Sequence, residues 1–371
     1  MRKIKVLHLE LSDNLGGIES FLYNVYSVVD KSKVQFDFVT RSYKPAKGDE
    51  LAELGAGIIN ISNYSHPFRY MKELRNIVSE GEYDIVHIHK NSAAIILPFY
   101  LLRNDKNVKV FVHSHNTKPS IKGISSVLHR INKDYLYKHS SEHLACSQVA
   151  GEWLYGKKRD FAVIKNGIIT NKFLFDKENR EIIRKELNIP DDAFVIGNVG
   201  RFSQQKNQKR LIDVFIEIQK LNSNTYLILI GDGELRSEVE AYACENNIPN
   251  IMFLGVRKDI AMLMMAMDAF VMTSIYEGLP LVAVEAQAAG LDLYLANTIS
   301  KETQLLDSVK WFDLNESNKR IAKRIKIEMI DDEERKCRND EVKNQGYDIE
   351  QTANELLYDY EECLRRWKCV K

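Results

Sequence analysis

The stretch FVIGNVGRFSQQKNQKRLIDVFIEIQKLNSNTYLILIG, residues 194–231, carries the pattern that decides the fold. Two short apolar runs, FVIGNV and TYLILI, flank the segment KRLIDVFIEIQKL, whose apolar residues recur at three- and four-residue spacing. Short apolar runs are typical of buried strands, and the longer spacing is typical of an amphipathic helix. Strand, helix and strand in this order predict a βαβ unit and therefore a parallel sheet.

The same alternation fills most of the chain on either side of this unit. Strand candidates in the first half are IKVLHLEL, QFDFVT, GIINIS, YDIVHIH, VKVFVHS and HLACS, and those that follow the unit are NIMFLG, AFVMTS and LYLAN. A polar stretch from Asp176 to Glu186 lies between the two sets, and we interpret it as the connection between domains.

A chain of 371 residues is about right for two α/β domains of ordinary size. We predict two facing, doubly wound Rossmann-like domains, residues 1–172 and 173–350. Apolar residues at helical spacing from Asp348 to Trp367 predict a closing helix within residues 351–371, which we expect to pack back on the first domain.

Composition and apolar runs favour a soluble protein of the cytoplasm. The longest apolar run, from Ala93 to Leu102, has ten residues and includes Pro98, so it predicts a buried helix, since crossing a bilayer takes about 20 residues. The first residues lead directly into a strand-like stretch, and no signal peptide is predicted. Five scattered cysteines without a Cys-x-x-Cys pair argue against a disulfide framework or zinc knuckle and fit a reducing compartment.

The segment SIYEGLPLVAVEAQAAG, residues 274–290, is the most informative about chemistry. Pro280 suits the first turn of a helix, where its missing N–H costs nothing. A helix beginning there places Glu285 about one and a half turns in and Glu277 in the preceding loop, with free backbone amides between them. Such amides and the helix dipole attract a diphosphate. Spacing alone equally allows Glu277 to be a solvated loop residue and Glu285 a surface helix residue.

Two further loops have residues suited to phosphate. Gly200, Arg201 and Lys206 follow a strand and precede a helix, and cations at the carboxyl edge of a parallel sheet are well placed to neutralise phosphate. Near the start, DNLGGIES contains Gly16 and Gly17 at the entry to a helix, where backbone can approach an anion closely. A purely structural turn explains these glycines equally well.

Two His-x-His pairs occupy neighbouring strand candidates, and strand alternation places both members of each pair on one face. Four imidazoles, His87, His89, His113 and His115, would suit zinc, so a metal-dependent hydrolase is a competing hypothesis. No carboxylate or cysteine candidate stands beside either pair. The chain also has no Walker motif, no G-x-G-x-x-G after a strand and no Asp-x-Asp, which argues against kinases, dehydrogenases and single-lobed metal-dependent sugar-nucleotide enzymes. We therefore expect no metal and no cofactor.

The motifs GGIE, HSHN, NGI, GRF with KNQ, GDGE and EGLPLVAVEA, in this order and spacing, resemble those of the retaining family 4 glycosyltransferases, which have the GT-B fold. The likeness covers nearly the whole chain, and EAQAAG followed by NTISKET is similar to the branch that builds bacterial capsular polysaccharides and exopolysaccharides. The resemblance implies transfer of a hexose-type sugar from a nucleotide-diphosphate-sugar donor to a glycan or lipid-linked glycan acceptor, with retention of anomeric configuration. No nucleic-acid partner is expected.

The resemblance also assigns residues. Arg201 and Lys206 would hold the donor diphosphate, Glu285 the ribose hydroxyls and Glu277 hydroxyls of the transferred sugar. Gly16 and Gly17 would approach the phosphates from the first domain, and His115 would sit beside the reacting sugar. The catalytic candidates are His115, Glu277, Arg201 and Lys206, and the donor-binding candidates are Gly16, Gly17, Gly200, Arg201, Lys206, Glu277, Gly278, Leu279, Pro280, Leu281, Val282 and Glu285.

One departure from the family pattern concerns this histidine. Many relatives have an acidic residue after it, whereas this chain has Asn116, so any carboxylate that orients His115 comes from elsewhere. A nucleotide-sugar epimerase of the same fold and a catalytically inactive sugar-nucleotide binding module are the alternative functions. An epimerase would turn over donor without acceptor, and an inactive module would bind donor without hydrolysis or transfer.

The first domain also suggests a membrane partner. Residues 1–170 contain 24 Lys and Arg against 17 Asp and Glu, a net charge of +7, and the remainder has a net charge of −7. Within them, the segment from Thr117 to Ser140 interleaves five cations with apolar residues at helical spacing. A basic amphipathic helix of this kind can lie in an anionic headgroup layer, so we expect peripheral attachment to the inner membrane face. An ordinary helix whose apolar stripe packs on its own sheet is the alternative.

Overall fold

The structure is a computed structural model that describes residues 2–14, 16–116 and 123–370. It divides into two compact units, each described by itself. Unit 1 comprises the chain up to Gly167 together with the segment from Ile349 onward, and unit 2 is Ile168–Asp348.

Unit 1 contains a parallel sheet, as the βα alternation predicts. Its described strands are β1 (Ile4–Leu11), β2 (Val34–Thr40), β3 (Gly57–Asn60), β4 (Ile85–Lys90), β5 (Lys109–Ser114), β6 (Glu142–Ala145) and β7 (Ala162–Val163). They lie in the order β3-β2-β1-β4-β5-β6-β7. The first crossover therefore leads outward on one side of β1 and the chain then returns to its other side, which is the doubly wound arrangement with a switch point between β1 and β4.

Helices connect these strands. They are α1 (Gly17–Val28), α2 (Gly48–Glu53), α3 (Pro67–Gly81), α4 (Leu97–Leu102), α5 (Ile124–Lys138) and α6 (Gln148–Tyr155). The expectation of a buried helix over Ala93–Leu102 is correct only in part, because the helix begins at Leu97 and both Ile95 and Tyr100 are exposed. Pro98 explains the late start, since proline is tolerated in the first turn of a helix but not in its interior.

Unit 2 repeats the doubly wound pattern around a second parallel sheet. Its described strands are β8 (Phe194–Val199), β9 (Thr225–Ile230), β10 (Ile251–Gly255), β11 (Ala269–Met272), β12 (Asp292–Ala296) and β13 (Val309–Phe312), in the order β10-β9-β8-β11-β12-β13. The helices are α7 (Lys177–Glu186), α8 (Gln208–Gln219), α9 (Arg236–Glu245), α10 (Ile260–Ala266), α11 (Leu281–Ala288), α12 (Asn318–Ala322) and α13 (Asp332–Val342). The prediction of two Rossmann-like parallel sheets is confirmed.

The interpretation of Asp176–Glu186 as a connection between domains is wrong. Asp176 caps α7 by accepting a hydrogen bond from the N–H of Asn179 at 2.9 Å, and the helix packs within unit 2. Its buried anchor is Arg184, whose guanidinium donates to Asp268 at 2.8 Å and to nearby backbone carbonyls. The segment looks polar because an arginine, and not an apolar residue, fills much of its buried face.

The last helix, α14 (Ile349–Val370), belongs to unit 1. It packs against α1, and the Oη of Tyr360 lies 2.6 Å from Nδ1 of His87 in the sheet. The chain thus returns to the first sheet after completing the second. Among the described helices, α14 included, none combines the length and the apolar character needed to cross a membrane.

Candidate active site

In unit 2, close backbone packing shapes the loop that follows β8. The N–H of Gly200 donates to the carbonyl of Ile230 at 2.9 Å, which ties the end of β8 to the end of β9. Gly231 has a φ of 131°, and a Cβ at this position would lie 2.1 Å from the carbonyl oxygen of Gly200. Only glycine fits there. The two strand ends can therefore approach closely and leave the following loop, residues 200–207, at the edge of the sheet.

This loop brings Lys206 to Glu277, two residues that the sequence had placed in separate motifs. Lys206 Nζ lies 2.6 Å from Glu277 Oε1, with the lysine side chain 21% and the glutamate side chain 11% exposed. Asn207 holds the turn with a left-handed φ of 56°, and its carbonyl accepts from the hydroxyl of Thr273 at 2.9 Å. The loop after β8 is thus fastened to the loop after β11, and the ion pair lies where they meet.

Arg201 lies at the same sheet edge but remains accessible. Its Nε donates to Glu234 at 3.0 Å, and both side chains are more than half exposed. An ion pair so open to water adds little stability. Arg201 can therefore exchange Glu234 for a phosphate at small cost.

The loop before α11 presents free backbone donors. Pro280 is the N-cap residue, one position before the helix, and the N–H groups of Gly278, Leu279, Leu281 and Val282 have no acceptor among the described residues. The carbonyl of Glu277 accepts from the N–H of Ser300 at 3.1 Å, which anchors the start of the loop. Unpaired amides at a helix N-terminus form an anion site, because they add hydrogen bonds to the positive end of the helix dipole.

Glu285 lies in the second turn of α11. Burial raises the pKa of its carboxyl to about 7, although the residue as a whole keeps some exposure. No hydrogen bond to its side chain is formed by the described part of the chain. A carboxyl that is partly protonated at neutral pH can both donate to and accept from hydroxyl groups.

In unit 1, a cavity of about 640 Å³ opens at the carboxyl ends of β1, β4 and β5. Gly16, Gly17 and His115 all line it. Glu19 closes the N-terminus of α1 by accepting from the N–H of Gly16 at 3.1 Å and from the hydroxyl of Ser12 at 2.7 Å. The N–H of Gly16 is therefore already hydrogen-bonded within the protein. At Gly17 the space beside the backbone is open, since a Cβ there would have no neighbour within 4 Å.

Comparison with known proteins identifies the family to which the chain belongs. The model of the family described as Glycosyltransferase Family 4 matches residues 15–172, and that described as Glycosyl transferases group 1 matches residues 179–344. The putative glycosyltransferase EpsF of Bacillus subtilis is 30% identical over 369 residues, with 96% of each chain covered. This chain is a GT-B glycosyltransferase.

Two further similarities bear on the glycosyltransferase. The UDP-Gal:alpha-D-GlcNAc-diphosphoundecaprenol alpha-1,3-galactosyltransferase of Escherichia coli is 23% identical, with 80% of each chain covered. Among solved structures, HepE from Anabaena in complex with UDP superposes with a TM-score of 0.80 at 19% identity, covering 97% of this chain and 100% of that one. At that identity the likeness concerns the fold.

A buried charged cluster on the cavity wall of the glycosyltransferase was not predicted from the sequence. Glu10 has a φ of 84°, and its carboxylate accepts from Lys90 at 2.5 Å, Arg41 at 2.9 Å and the hydroxyl of Tyr64 at 2.6 Å. Burial alone would raise the pKa of Glu10, but Lys90 and Arg41 outweigh it and lower that pKa below its ordinary value. The sequence feature that could have indicated this cluster is Lys90, a cation that directly follows the strand segment His87–His89.

The same cavity wall continues into a ladder of imidazoles, which are His8, His87, His89, His113 and His115. Burial lowers the pKa of each ring, to about 3 for His8 and His115, so all five are neutral at physiological pH. The sequence predicted four members on one face, and it missed His8 on the neighbouring strand. His115 therefore enters any reaction as a neutral ring and not as an imidazolium.

The ladder of the glycosyltransferase brings together ring nitrogens that could hold a metal ion. Two trios, His8 with His87 and His89, and His89 with His113 and His115, bring ring nitrogens within 4.8 Å of one another. Zinc requires nitrogens at about 2.0–2.1 Å that converge on one point. Here His87 stacks beside His89 with centroids 4.3 Å apart, and His113 lies beside His115 at 4.1 Å. The closest nitrogens, in His8 with His89 and in His89 with His115, are at hydrogen-bonding distances of 2.9 and 2.8 Å.

Proposed function

We propose that this glycosyltransferase moves a hexose-type sugar from a nucleotide-diphosphate sugar to a lipid-linked glycan acceptor, with retention of anomeric configuration, in the synthesis of a capsular polysaccharide or exopolysaccharide. The observation that carries the proposal is the juxtaposition of the Lys206–Glu277 pair with the open N-terminus of α11 in unit 2. The names of the relatives, a putative glycosyltransferase EpsF and a galactosyltransferase acting on a diphosphoundecaprenol-linked sugar, support the donor and acceptor classes.

Donor binding follows from the charges at the sheet edge. The diphosphate would accept from the N–H groups of Gly278, Leu279, Leu281 and Val282 and from Arg201, while Lys206 turns from Glu277 to a phosphate oxygen. Glu277 would then be free to accept from hydroxyls of the transferred sugar. Glu285 would bind the ribose hydroxyls from the second turn of α11. Gly200 would leave room for the donor at this edge, since a Cβ there would lie 3.4 Å from the side chain of Lys206.

Catalysis in this scheme consists mainly of stabilising the leaving group. Departure of the nucleoside diphosphate leaves negative charge on the phosphate, which Lys206, Arg201 and the helix amides would stabilise. His115 and Gly17, on the cavity wall of unit 1, would contact the sugar and its phosphate. These cations and amides supply the charge that a divalent ion supplies elsewhere, so we propose that the enzyme is independent of metal.

A screen of nucleotide sugars by thermal denaturation tests the donor site. A donor at 100 times its dissociation constant should stabilise the protein by about 2.7 kcal/mol. Proton NMR of the product from the best donor and a lipid-linked acceptor then reports anomeric configuration. An inverted product would refute retention, and activity lost with chelator but restored by zinc would refute metal independence.

The epimerase alternative makes a different prediction in the same assay. Incubation of donor without acceptor should leave the sugar unchanged if the protein is a transferase, apart from slow hydrolysis. Conversion of the donor to a stereoisomer would favour the epimerase. Binding without any turnover, in the presence of several acceptors, would favour an inactive binding module.

We further propose that unit 1 docks on an anionic membrane surface through α5. Ile124, Val127 and Ile131 on this helix are 79%, 57% and 65% exposed, so the apolar stripe does not pack on the sheet. The buried positions of the helix are instead His129 and Leu136. Part of the predicted basic segment, residues 117–122, lies outside the described residues.

Liposome co-sedimentation tests the docking surface. Ile124→Ser with Ile131→Ser should weaken binding to anionic vesicles, and Ile182→Ser, an exposed isoleucine on α7 of unit 2, serves as the matched control. High salt should weaken binding, because each Lys or Arg near anionic lipid contributes about 1 kcal/mol. Equal binding to neutral and anionic vesicles would contradict the proposal.

A further inference from the structure

A chain of hydrogen-bonded imidazoles runs through the sheet of unit 1 to the cavity wall. Nδ1 of His8 lies 2.9 Å from Nε2 of His89, and Nδ1 of His89 lies 2.8 Å from Nε2 of His115. His8 lies in β1, His89 in β4, and His115 directly follows β5. The strand register sets His8 beside His87 and His89 beside His113, so each hydrogen bond of the imidazole chain runs diagonally to a residue two positions further along the neighbouring strand. His115 forms part of the cavity wall.

From this geometry we infer that His8 and His89 are positioning residues, which fix the ring orientation and the tautomer of His115 where an acidic side chain would otherwise do so. Residue 116, which follows the histidine, is asparagine. The inference deepens the proposed function, since it rests on His115 facing the reacting sugar.

The chain has only two arrangements of its protons, because each neutral ring has one donor and one acceptor nitrogen. In the first arrangement, His115 donates to His89 and His89 donates to His8, which leaves the proton of His8 on Nε2. In the second, both hydrogen bonds are reversed and the proton of His115 is on Nδ1. Every ring in the chain therefore changes tautomer together, and the residue at one end dictates the state of the other.

The surroundings of His8 favour the first arrangement. Nε2 of His8 and Nδ1 of His115, at the two ends of the imidazole chain, are both buried and have no partner among the described residues. The ring of Phe36 meets that of His8 in an edge-to-face arrangement with centroids 4.3 Å apart, whereas Nδ1 of His115 belongs to a residue of the cavity wall, where a ligand can donate to it. An aromatic face can accept an N–H weakly but offers nothing to an unpaired nitrogen lone pair. His115 is therefore expected to hold its proton on Nε2, toward His89, and its lone pair on Nδ1.

Burial keeps the chain in this neutral form. The pKa of His8, His89 and His115 all lie well below the ordinary value because burial disfavours the charged ring. Because the three hydrogen-bonded imidazoles are neutral, they do not transfer charge to the cavity. Their effect is to fix the ring plane and the tautomer of His115. Because the ring of His115 is itself part of the wall, a change of ring orientation changes the shape that a ligand meets.

His87 provides a matched control within the same ladder. It stacks on His89 with centroids 4.3 Å apart and is equally buried, yet its Nδ1 pairs with Tyr360 and it takes no part in the chain. Replacing His87 or His8 by phenylalanine exchanges a buried imidazole for a phenyl ring in each case. Only the change at His8 removes a hydrogen bond of the chain.

The direct test is nitrogen-15 NMR of the full-length protein labelled at histidine, which reports which ring nitrogen has the proton. We expect His89 and His115 both to be protonated on Nε2 in the wild type and in His87→Phe. In His8→Phe the tautomer of His89 should change or become mixed. His8→Asn, which keeps a polar atom at the position of Nδ1, should restore the wild-type pattern. Protonation of His115 on Nδ1 in the wild type would overturn the inference.

Turnover gives the second readout. His89→Phe should lower kcat for sugar transfer by about 10- to 100-fold, the scale for removing a group that orients an active-site histidine, with donor affinity unchanged. His87→Phe should retain wild-type turnover. A folded His89→Phe variant with wild-type kcat would overturn the positioning role. If no donor supports transfer, the proposed function fails, while the tautomers of the wild type and His8 variants still decide whether the chain exists.

Discussion

The two units place their candidate site residues at the same point of the same topology, yet those of unit 2 are charged and the histidines of unit 1 are neutral. In unit 2 the carboxyl edge of the sheet presents charged groups, Arg201, Lys206 and Glu277, at partly exposed positions. In unit 1 the corresponding edge leads into five neutral histidines that are shielded from water.

Part of the difference comes from what covers the sheet. Phe21 of α1 packs on His113 and His115, and Tyr360 of α14 packs on His87, so the imidazoles lose their hydration and their charge. In the loops after β8 and β11, Arg201 is 69% exposed and Lys206 21%, and the more buried Glu277 is paired with Lys206. The same fold thus presents charged groups at the sheet edge of one unit and neutral imidazoles at that of the other, because both the residue types and their burial differ.

The largest effect that would break this comparison is expected at Lys206. Lys206→Ala should lower sugar transfer by roughly 100- to 1,000-fold, since a charge-stabilising donor to the leaving group is lost. Lys209→Ala, an exposed lysine three residues on that stacks over Tyr242, is the control and should leave transfer unchanged. Steady-state kinetics with the identified donor measures both. Wild-type kinetics for Lys206→Ala would remove the phosphate assignment from unit 2.

The buried cluster of Glu10, Lys90 and Arg41 is the charged exception in the otherwise neutral cavity wall of unit 1. A substitution of Glu10 tests its contribution to stability. Glu10→Gln should destabilise the protein by about 3 kcal/mol, because it leaves the buried Lys90 without its counter-charge. Urea denaturation measures the change. Glu73→Gln, which breaks a pair with the exposed Arg69, is the control and should cost under about 1 kcal/mol. Equal losses in the two variants would mean that the burial of Lys90 does not matter.

Glu285 sharpens the comparison because it is a carboxyl group of unit 2 whose pKa is changed by burial. Its pKa is raised to about 7 in the folded protein, so its contribution to stability is complete below the ordinary value near 4.5 and is lost as pH rises through 7. A shift of this size corresponds to about 3 kcal/mol at most, and we expect about 2 kcal/mol because the group keeps some exposure.

The free energy of unfolding of wild type and Glu285→Gln, measured from pH 4.5 to 8, checks this dependence. The wild type should lose about 2 kcal/mol more than the variant over that range. Parallel curves would show that the carboxyl has an ordinary pKa. Addition of nucleoside diphosphate should reduce the difference if the ribose hydroxyls bind this carboxyl.

The smallest effect is expected at the exposed pair of Arg201 and Glu234. Glu234→Gln should change stability by less than about 1 kcal/mol, because both side chains are open to water. It should at the same time leave Arg201 free and tighten binding of nucleoside diphosphate, which isothermal titration calorimetry measures. Weaker binding would indicate that Glu234 orients Arg201 for the phosphate.

Sequence periodicity determined the strands and most of the helices, because buried strands and amphipathic helices have distinct apolar spacing. It also predicted free backbone amides in the loop before Leu281, because proline favours a helix start and the first N–H groups of any helix have no acceptor within the helix. Where the buried positions are occupied by polar residues, the apolar spacing did not predict the structure correctly. Arg184 made α7 look like a connection, and His8 looked like any other strand residue.

Tertiary structure alone decided which separate motifs meet. Lys206 and Glu277 are joined because β8 and β11 are neighbours in the sheet, and Glu10 meets Lys90 because β1 and β4 are neighbours. The protonation states also depend on the fold, since burial lowers the pKa of the histidines and raises that of Glu285. Sequence determines which groups are available, and the packing of distant segments determines their partners and their charge, because both depend on what excludes water from each group.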